Sequence, residues 1–322
     1  MQKRRVAVCT LWAGVVILGA DPASGQPYPT KPVRIVTAEP GGGPDFAARV
    51  IAHELSGSLG QQVIVDNRGG SVVIMAEIVA RAQPDGHTLL LSAGTLWLKP
   101  FLQDKVSYDP VRDFLPVTLA ATAPAILVVH PGFAANSVGE LIALARARAG
   151  GVSYASGPAG STSHLAAELF NVMSGLRMLR VPYKGTGSAL TDLIGGQVQL
   201  MFANAASATP LVKSGRLRAL AVTSTRPSAL YPGLPTVADS GLPGYDAVAM
   251  FGLFAPSRTP APIIRRLNEE IVRVLNQAEV KDRFFKAGVE VAGSSPQDLT
   301  AAMKSEMARM GKVIRNAGIR DE

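Results

Sequence analysis

The amino-acid sequence predicts an α/β fold in two lobes, each with a mostly parallel sheet flanked by helices. Short β-branched runs alternate along the chain with segments whose apolar residues recur at helical spacing, a pattern typical of parallel sheets. Two apolar stretches, residues 117–124 and 247–256, are predicted to cross between the lobes. With these crossings, residues 26–120 and 250–322 are predicted to form lobe 1, which is discontinuous in sequence, and residues 121–249 to form lobe 2.

The predicted strands are the short β-branched runs, and the helices lie between them. The strands are expected at residues 33–37, 62–66, 88–92, 125–130, 152–155, 178–182, 198–202 and 217–223. Helices with a clear apolar stripe are expected to begin near Phe46, Ser137, Pro262 and Ser295. The first should end at Gly60, since glycine favours the left-handed cap. Ser137 with Glu140 has the spacing of a capping box.

Residues 1–25 have the pattern of an export signal. A basic start at residues 3–5 precedes an apolar stretch at residues 6–20 and the small-residue exit Ala23-Ser24-Gly25. The apolar stretch is too short to span a bilayer. The only cysteine, Cys9, lies inside this signal and outside the spacing of a lipid-attachment site. The sequence therefore predicts a protein exported from the cytoplasm with a cleavable signal, without a disulfide or a lipid anchor.

The composition favours a small-molecule partner over a nucleic acid. The 322 residues include 32 Lys and Arg against 24 Asp and Glu, a formal net charge of +8. The basic residues are scattered singly or in pairs with few aromatic residues between them, unlike a nucleic-acid interface. A mild positive charge instead attracts an anionic small molecule. We expect a monomer with no nucleic-acid partner, no cofactor and no metal.

A glycine-rich turn, Glu39-Pro40-Gly41-Gly42-Gly43-Pro44-Asp45, joins the first strand to the first helix. Bare backbone N–H groups and the positive end of a helix dipole meet at such a turn, which suits an anion. Phe46 stands where a dinucleotide fingerprint would need another glycine, and no Gly-Lys-Ser or Gly-Lys-Thr follows to form a phosphate loop. From this turn alone, an anion site and a plain strand-to-helix connection both remain open.

Two further loops of this kind lie in the middle of the chain. In residues 154–164, Ser161, Thr162 and Ser163 offer three hydroxyl groups and free amides at a helix start, although one hydroxyl is needed as the helix cap. Residues 182–188 carry Lys184, which supplies a charge or is simply solvated. Three strand-to-helix turns in two lobes would converge where open α/β sheets bind ligands. The sequence therefore predicts a ligand crevice between the lobes.

The sequence offers little support for catalysis. Neither a Gly-x-Ser-x-Gly elbow nor a Ser-x-x-Lys motif occurs. The four histidines, His53, His87, His130 and His164, do not have metal-ligand spacing. The alternative to a binding protein is a secreted hydrolase or lyase that uses Ser161 or His164, for which no base-orienting partner can be named.

Several motifs resemble the solute-binding proteins of tripartite tricarboxylate transporters, the Bug-type receptors, in that family's order and over almost the whole chain. These motifs are Tyr28-Pro29-Thr30-Lys31-Pro32-Val33-Arg34, Gly41-Gly42-Gly43 with Asp45, Gly60-Gln61-Gln62-Val63, Pro84-Asp85-Gly86, Val181-Pro182-Tyr183-Lys184-Gly185 and Leu234-Pro235-Thr236-Val237. The resemblance implies a periplasmic binding protein fold of type II-like form. It also implies a receptor that closes on a small organic acid and delivers it to a permease of one large and one small membrane subunit.

The resemblance also implies which residues contact the ligand. Binding in the family uses backbone amides, hydroxyl groups and ordered water around a carboxylate. Matched by motif, the contacts expected in this chain are Gly42, Gly43, Asp45, Ser92, Thr95, Ser161, Ser163, His164, Tyr183, Gly185 and Asn204. A sensory receptor that feeds a membrane signalling protein would bind in the same way, so that role stays open as an alternative to transport.

Departures from the family pattern bear on the ligand. Glu39 stands where the family usually has a neutral residue, and Lys99 replaces the usual Asn, with Trp97 two positions earlier. Residues 69–73, Gly-Gly-Ser-Val-Val, replace the usual Pro-Gly-Ala-Gly-Gly. These changes lead to the hypothesis of an aromatic or amide-bearing acid beside Trp97, with an aliphatic diacid as the alternative.

Overall fold

The computed structural model describes residues 28–148 and 151–321. The predicted export signal, residues 1–25, lies outside the described residues, as does Cys9. Within the two described ranges, no helix combines the length and the apolar character needed to cross a membrane.

The described residues form ten strands and ten helices. The strands are β1 (Val33–Thr37), β2 (Val63–Asn67), β3 (Thr88–Ala93), β4 (Phe114–Val129), β5 (Ser153–Ser156), β6 (Leu179–Pro182), β7 (Leu200–Asn204), β8 (Arg218–Val222), β9 (Val248–Pro256) and β10 (Glu290–Val291). The helices are α1 (Gly43–Leu59), α2 (Val72–Ala80), α3 (Thr95–Leu102), α4 (Val138–Ala147), α5 (Thr162–Ser174), α6 (Thr186–Ile194), α7 (Ala205–Lys213), α8 (Ala261–Leu275), α9 (Ala278–Lys286) and α10 (Pro296–Asn316).

The strands lie side by side in the order β2-β1-β3-β9-β4-β7-β5-β6, with β8 and β10 both pairing with β4. The outer strands β2-β1-β3 and β6-β5-β7 are parallel, as the alternating pattern predicts. The pairs that involve β4 and β9 are antiparallel. The prediction of a two-lobed α/β fold is confirmed, but the sheets are mixed because two long strands run against their neighbours.

Strand β4 passes from one half of the sheet to the other. Its first part, up to Pro124, pairs with β9, and from Ala125 onward it pairs with β7 and β8. The stretches predicted to cross between the lobes, 117–124 and 247–256, therefore lie side by side as extended strands. The strand predicted at 125–130 is the second half of this longer strand. The exact lobe boundaries stay a prediction.

The helix ends follow the sequence signals. Helix α1 ends at Gly60, which has a φ of 66°. The Ser137 hydroxyl accepts the Glu140 N–H at 3.1 Å at the start of α4. At the start of α10, Ser295 and Asp298 form a complete capping box. The apolar stripe of α10, which includes Met303 and Met310, is buried. These methionines fill the core, as the helical spacing indicates.

Candidate functional site

A crevice lies between the two halves of the molecule and is lined by residues from both. One small cavity of about 40 Å³ is bounded by Gly94 and Thr95 on one side, Gly160 and Thr162 on the other, and Glu306. A second, wider opening of about 540 Å³ shares Thr95 and Gly160 with it. Its polar and charged lining residues are Glu39, Arg68, Ser71, Thr95, Lys99, Gln103, Ser161 and Asp321. Two of the three loops predicted to meet at the carboxyl ends of strands line this opening, the first through Glu39 and the loop before α5 through Gly160 and Ser161, whereas residues 182–188 line neither cavity.

The first glycine loop is held closed by Asp45. The Asp45 carboxylate accepts hydrogen bonds from the Gly41 N–H at 3.0 Å, from Arg49 Nε at 3.0 Å and from Asn67 Nδ2 at 2.7 Å. Asn67 Nδ2 also donates to the Ala38 carbonyl at 2.6 Å. Burial alone would raise the pKa of Asp45, but these hydrogen bonds outweigh it and hold the pKa below its usual range. The loop's own carboxylate thus binds the Gly41 N–H and places a negative charge beside this turn, although no side chain caps α1 itself.

The glycines of this loop differ in their surroundings. Gly42 is the N-cap of α1 and is exposed. Gly43 packs on the Phe251 ring, since a Cβ built there would lie 2.5 Å from Phe251 Cζ. Glu39 is exposed and lines the wide opening, where its carboxylate lies against Gly69. The departure that the sequence drew attention to therefore faces the crevice.

Ser92 lies at the end of β3 and Thr95 at the start of α3, and only Thr95 reaches the crevice. Thr95 is exposed at the start of α3 and lines both the inner cavity and the wide opening. Ser92 is 2 % exposed, and its hydroxyl donates to the Ala93 carbonyl at 3.4 Å. Ser92 therefore supports the strand end, and Thr95 presents its hydroxyl group to the opening.

The second loop gathers hydroxyl groups at the start of α5. Ser161 is the N-cap, and its Oγ accepts the His164 N–H at a long 3.4 Å. Ser161 Oγ and Ser163 Oγ lie 3.3 Å apart, and Ser163 Oγ accepts the Gly157 N–H at 3.0 Å. No described carboxylate bonds to these groups, so the N-terminus of α5 remains open to an external anion.

His164 is buried and neutral beneath this loop. Its Nδ1 accepts the Gly160 N–H at 3.1 Å, so the neutral ring carries its proton on Nε2. Burial first, and then the positive charge of Arg180, lower the pKa of His164 to about 4. At neutral pH, His164 therefore offers a hydrogen-bond donor without a formal charge.

Three further predicted contacts, Tyr183, Gly185 and Asn204, lie outside the two cavities, as do Gly42, Gly43, Asp45, Ser92, Ser163 and His164. The Tyr183 hydroxyl donates to Asp192 Oδ2 at 2.8 Å. Burial first, and then this hydrogen bond, raise the pKa of Tyr183 to about 12. Gly185 is the exposed N-cap of α6. Asn204 caps α7, and its Oδ1 accepts the Ser207 N–H at 2.9 Å. The structure assigns each of them a local contact, and their role in binding stays a prediction.

The hypothesis of a ligand beside Trp97 is wrong. Trp97 is 0 % exposed and packs against Phe254, with ring centroids 6.0 Å apart. Its Nε1 donates to Glu306 Oε2 at 2.7 Å. Lys99, the other departure in this segment, is 9 % exposed and forms an ion pair with Asp321 at the crevice. Trp97 lies in the first turn of α3 and is part of the hydrophobic core, where its N–H finds a partner.

Sequence reasoning missed two charged residues near the crevice, Glu306 and Arg180. Burial raises the pKa of Glu306 to about 7. Its signal in the sequence is a glutamate inside the buried stripe of α10, between Met303 and Met310 at helical spacing. The signal for Arg180 is a charged residue within the short strand β6, just before the predicted loop at residues 182–188. Among the described residues, no group of three His, Cys, Asp or Glu could hold a metal ion.

Facing strand-to-helix loops across a crevice between two α/β lobes define the class of solute-binding receptors. Residues 47–319 match the family described as tripartite tricarboxylate transporter family receptor, and the chain belongs to that family.

Individual relatives and solved structures are similar over nearly their whole length. Protein BugT of Bordetella pertussis is 36 % identical over 303 residues, 93 % of this chain and 93 % of that protein. The structure of R. palustris Rpa4515 with adipate has a TM-score of 0.76 and 36 % identity, covering 92 % of this chain and 100 % of that one. MatC (Rpa3494) from Rhodopseudomonas palustris with bound malate has a TM-score of 0.72 and 32 % identity, covering 89 % and 100 %. The recognition of a Bug-type receptor from sequence motifs is confirmed.

Proposed function

We propose that this chain is a periplasmic receptor that captures a small organic acid between its lobes and delivers it to a tripartite tricarboxylate-type transporter with a large and a small membrane subunit. The observation that carries the proposal is the second loop. There, Gly160 and Ser161 at the start of α5 lie opposite Gly94 and Thr95 across the crevice, and Ser163 and the neutral His164 bond to this loop from behind. Such donors suit a carboxylate.

The bound acids of two similar proteins support a carboxylate ligand. Adipate and malate are both aliphatic diacids, and each is present in a receptor more than 30 % identical to this chain. Because Trp97 is buried, the crevice offers no aromatic platform from that residue. We therefore favour an aliphatic diacid over an aromatic acid.

The local geometry argues against a hydrolase that uses Ser161 and His164. A serine nucleophile needs a base within hydrogen-bond reach of its hydroxyl group. Here the basic nitrogen of the ring, Nδ1, accepts the Gly160 N–H, and the Ser161 hydroxyl lies against Ser163. We propose that the chain has no catalytic activity and that these residues bind ligand.

Calorimetric titration of adipate, malate, citrate and benzoate into the wild-type protein and two serine variants tests the proposal. Ser161→Ala should lower the affinity for the best diacid about tenfold, since it removes a direct donor. The matched control is Ser137→Ala, because Ser137 caps α4 of the same half in the same way, away from the crevice. Both variants should lose ~1 kcal/mol of stability from the lost cap. Equal affinities in the two variants, or turnover of any ester by the wild type, would contradict the proposal.

We further propose that the lobes meet near residues 120 and 250 and move relative to each other on binding. Strand β4 changes partners between Pro124 and Ala125, which supports a boundary there. Ile64 and Leu179 are exposed on β2 and β6, at opposite edges of the sheet. Spin labels at Ile64→Cys and Leu179→Cys should report a changed distance when the diacid is added. An unchanged distance at saturation would rule out closure.

The transporter partner requires a separate test. Purified receptor, preloaded with labelled diacid, should raise uptake into vesicles that contain the two membrane subunits. If binding occurs but uptake does not depend on the receptor, the sensory role gains support over transport.

A further inference from the structure

Arg180 lies against the second loop and has no carboxylate partner among the described residues. Its Nε donates to Ser156 Oγ at 2.9 Å, and its second terminal nitrogen donates to the Gly157 carbonyl at 2.9 Å. The side chain is half-buried on β6. The nearby Glu168 carboxylate is bonded to the Tyr154 hydroxyl and to Asn171 instead. The guanidinium therefore keeps an unpaired positive charge beside Ser156 and Gly157, the residues that open the loop.

The other cations around the crevice are neutralised by carboxylates. Arg49 pairs with Asp45 at 3.0 Å, and Arg68 pairs with Asp66 at 3.0 Å. Lys99 pairs with Asp321. An ion pair of this kind presents little net field to a ligand, whereas an unpaired, half-buried charge is only weakly screened. Among these four cations, Arg180 is thus the one without a carboxylate partner.

The charge of Arg180 acts on a group of the loop itself. It is one of two causes that lower the pKa of His164, after burial. A charge that disfavours the protonated ring will favour an anion at the same place by the same Coulomb interaction. Its hydrogen bond to the Gly157 carbonyl also fixes the residue whose N–H donates to Ser163 Oγ. Arg180 therefore has two effects on the loop: it contributes a positive charge, and its hydrogen bond holds Gly157 in place.

We propose that Arg180 is the positioning and charge-supplying residue that makes the second loop select an ionised carboxylate over a neutral group of the same shape. The inference rests on the proposed receptor function. It adds that the selectivity comes from β6, through the loop, rather than from the first glycine loop with its own carboxylate.

The test compares Arg180→Met and Arg180→Lys with Arg218→Met. Arg218 is a matched control because it is also half-buried and donates only to backbone carbonyls, those of Pro131, Phe133 and Ala135. Calorimetry with adipate and with its neutral diamide separates the effect of the Arg180 charge, which acts on adipate alone, from the positioning of the loop, which acts on both ligands. Arg180→Met should weaken adipate binding about tenfold and diamide binding much less, and should flatten the salt dependence. Arg180→Lys should keep the salt dependence, and Arg218→Met should keep wild-type affinity for both probes.

A second measurement needs no ligand. The ring of His164 can be titrated by NMR, and its pKa should rise from about 4 in Arg180→Met but not in Arg218→Met. Equal loss of adipate and diamide affinity in Arg180→Met, or an unchanged pKa of His164, would overturn the inference while leaving the receptor function intact. If the wild-type protein binds no organic acid, the proposed function fails and this inference fails with it.

Discussion

The two loops at the helix starts look alike in sequence but differ in their charge. In the first, the Asp45 carboxylate lies beside the turn and is bonded to Gly41, Arg49 and Asn67. In the second, Ser161 and Ser163 hold no carboxylate, and Arg180 contributes a positive charge. No side chain caps the N–H groups of α1, whose start lies beside a carboxylate, whereas Ser161 caps α5, whose start has no carboxylate bonded to it.

The two turns therefore differ in whether the chain places its own carboxylate beside them. A glycine-rich turn before a helix marks a place where an anion fits, but it does not say whether the chain supplies that anion itself. The answer depends on the side chains that fold back onto the turn from other strands. For the first loop this is Asn67 at the end of β2, and for the second it is Arg180 on β6.

Removal of the Asp45 carboxylate should have the largest effect on stability. Asp45→Ala deletes three hydrogen bonds at once and should lower the free energy of unfolding by ~3 kcal/mol. Because the pKa of Asp45 is lowered in the folded state, this contribution is complete above the unfolded pKa of about 4 and fades as the pH falls through the folded pKa. Urea unfolding at several pH values measures both effects.

The control for Asp45→Ala is Asp66→Ala, which removes a more exposed carboxylate from its pairs with Arg34 and Arg68. It should cost less than ~1 kcal/mol. If Asp45→Ala costs no more than the control, Asp45 does not hold the first loop together, and its place in ligand binding becomes the better explanation.

Gly160 tests how tightly the second loop fits the opposite side of the crevice. Its φ is +73°, and a Cβ there would lie 2.5 Å from Leu102 Cδ1 on α3. Gly160→Ala should therefore cost ~2 kcal/mol and weaken diacid binding, through left-handed strain and a forced shift of a buried leucine. Gly175 has a φ of +69° with no atom within 4 Å, so Gly175→Ala should cost only the ~1 kcal/mol of strain. Equal costs would mean that the two sides do not pack here.

The sequence predicted the fold well where the signals are local. Strand β1, the Gly60 cap and the Ser295 cap depend on neighbours within a few residues, and each occurs at its predicted place. The length of β4 was underestimated because prolines 116 and 124 look like strand ends, although the strand continues through register shifts.

The site was less predictable because its charges are set by long-range contacts. The motif gave Ser161 and Thr95 at the crevice, but nothing near Arg180 in the sequence shows that its guanidinium reaches back to Ser156 and Gly157. Trp97 was misjudged for the same reason, since its partner Glu306 lies 209 residues away. Such partners are fixed by the tertiary fold alone.

The neutral state of His164 gives the second loop a pH dependence that begins at higher pH than that of Asp45 in the first loop. Its folded pKa of about 4 lies below the unfolded value of about 6.5, so the unfolded chain binds the proton first as the pH falls. Its contribution is therefore constant above about pH 6.5, and stability is lost between there and about pH 4, at up to ~1.4 kcal/mol per pH unit. In His164→Gln this part of the slope should vanish. Unfolding curves that show the same slope in both proteins would place the proton elsewhere.

Glu39 offers the smallest but most direct comparison of the two loops. It is exposed at the crevice beside the first loop, where its charge opposes an incoming dianion. Since exposed charges are screened, Glu39→Gln should raise the affinity for adipate only about threefold, and less at high salt. Glu279→Gln, at the exposed first turn of α9, changes the net charge equally and is the control. A gain confined to Glu39→Gln would show that the first loop repels the ligand's charge while the second attracts it. Equal gains would mean that only the net charge matters, and the contrast between the loops would then lie in their hydrogen bonds alone.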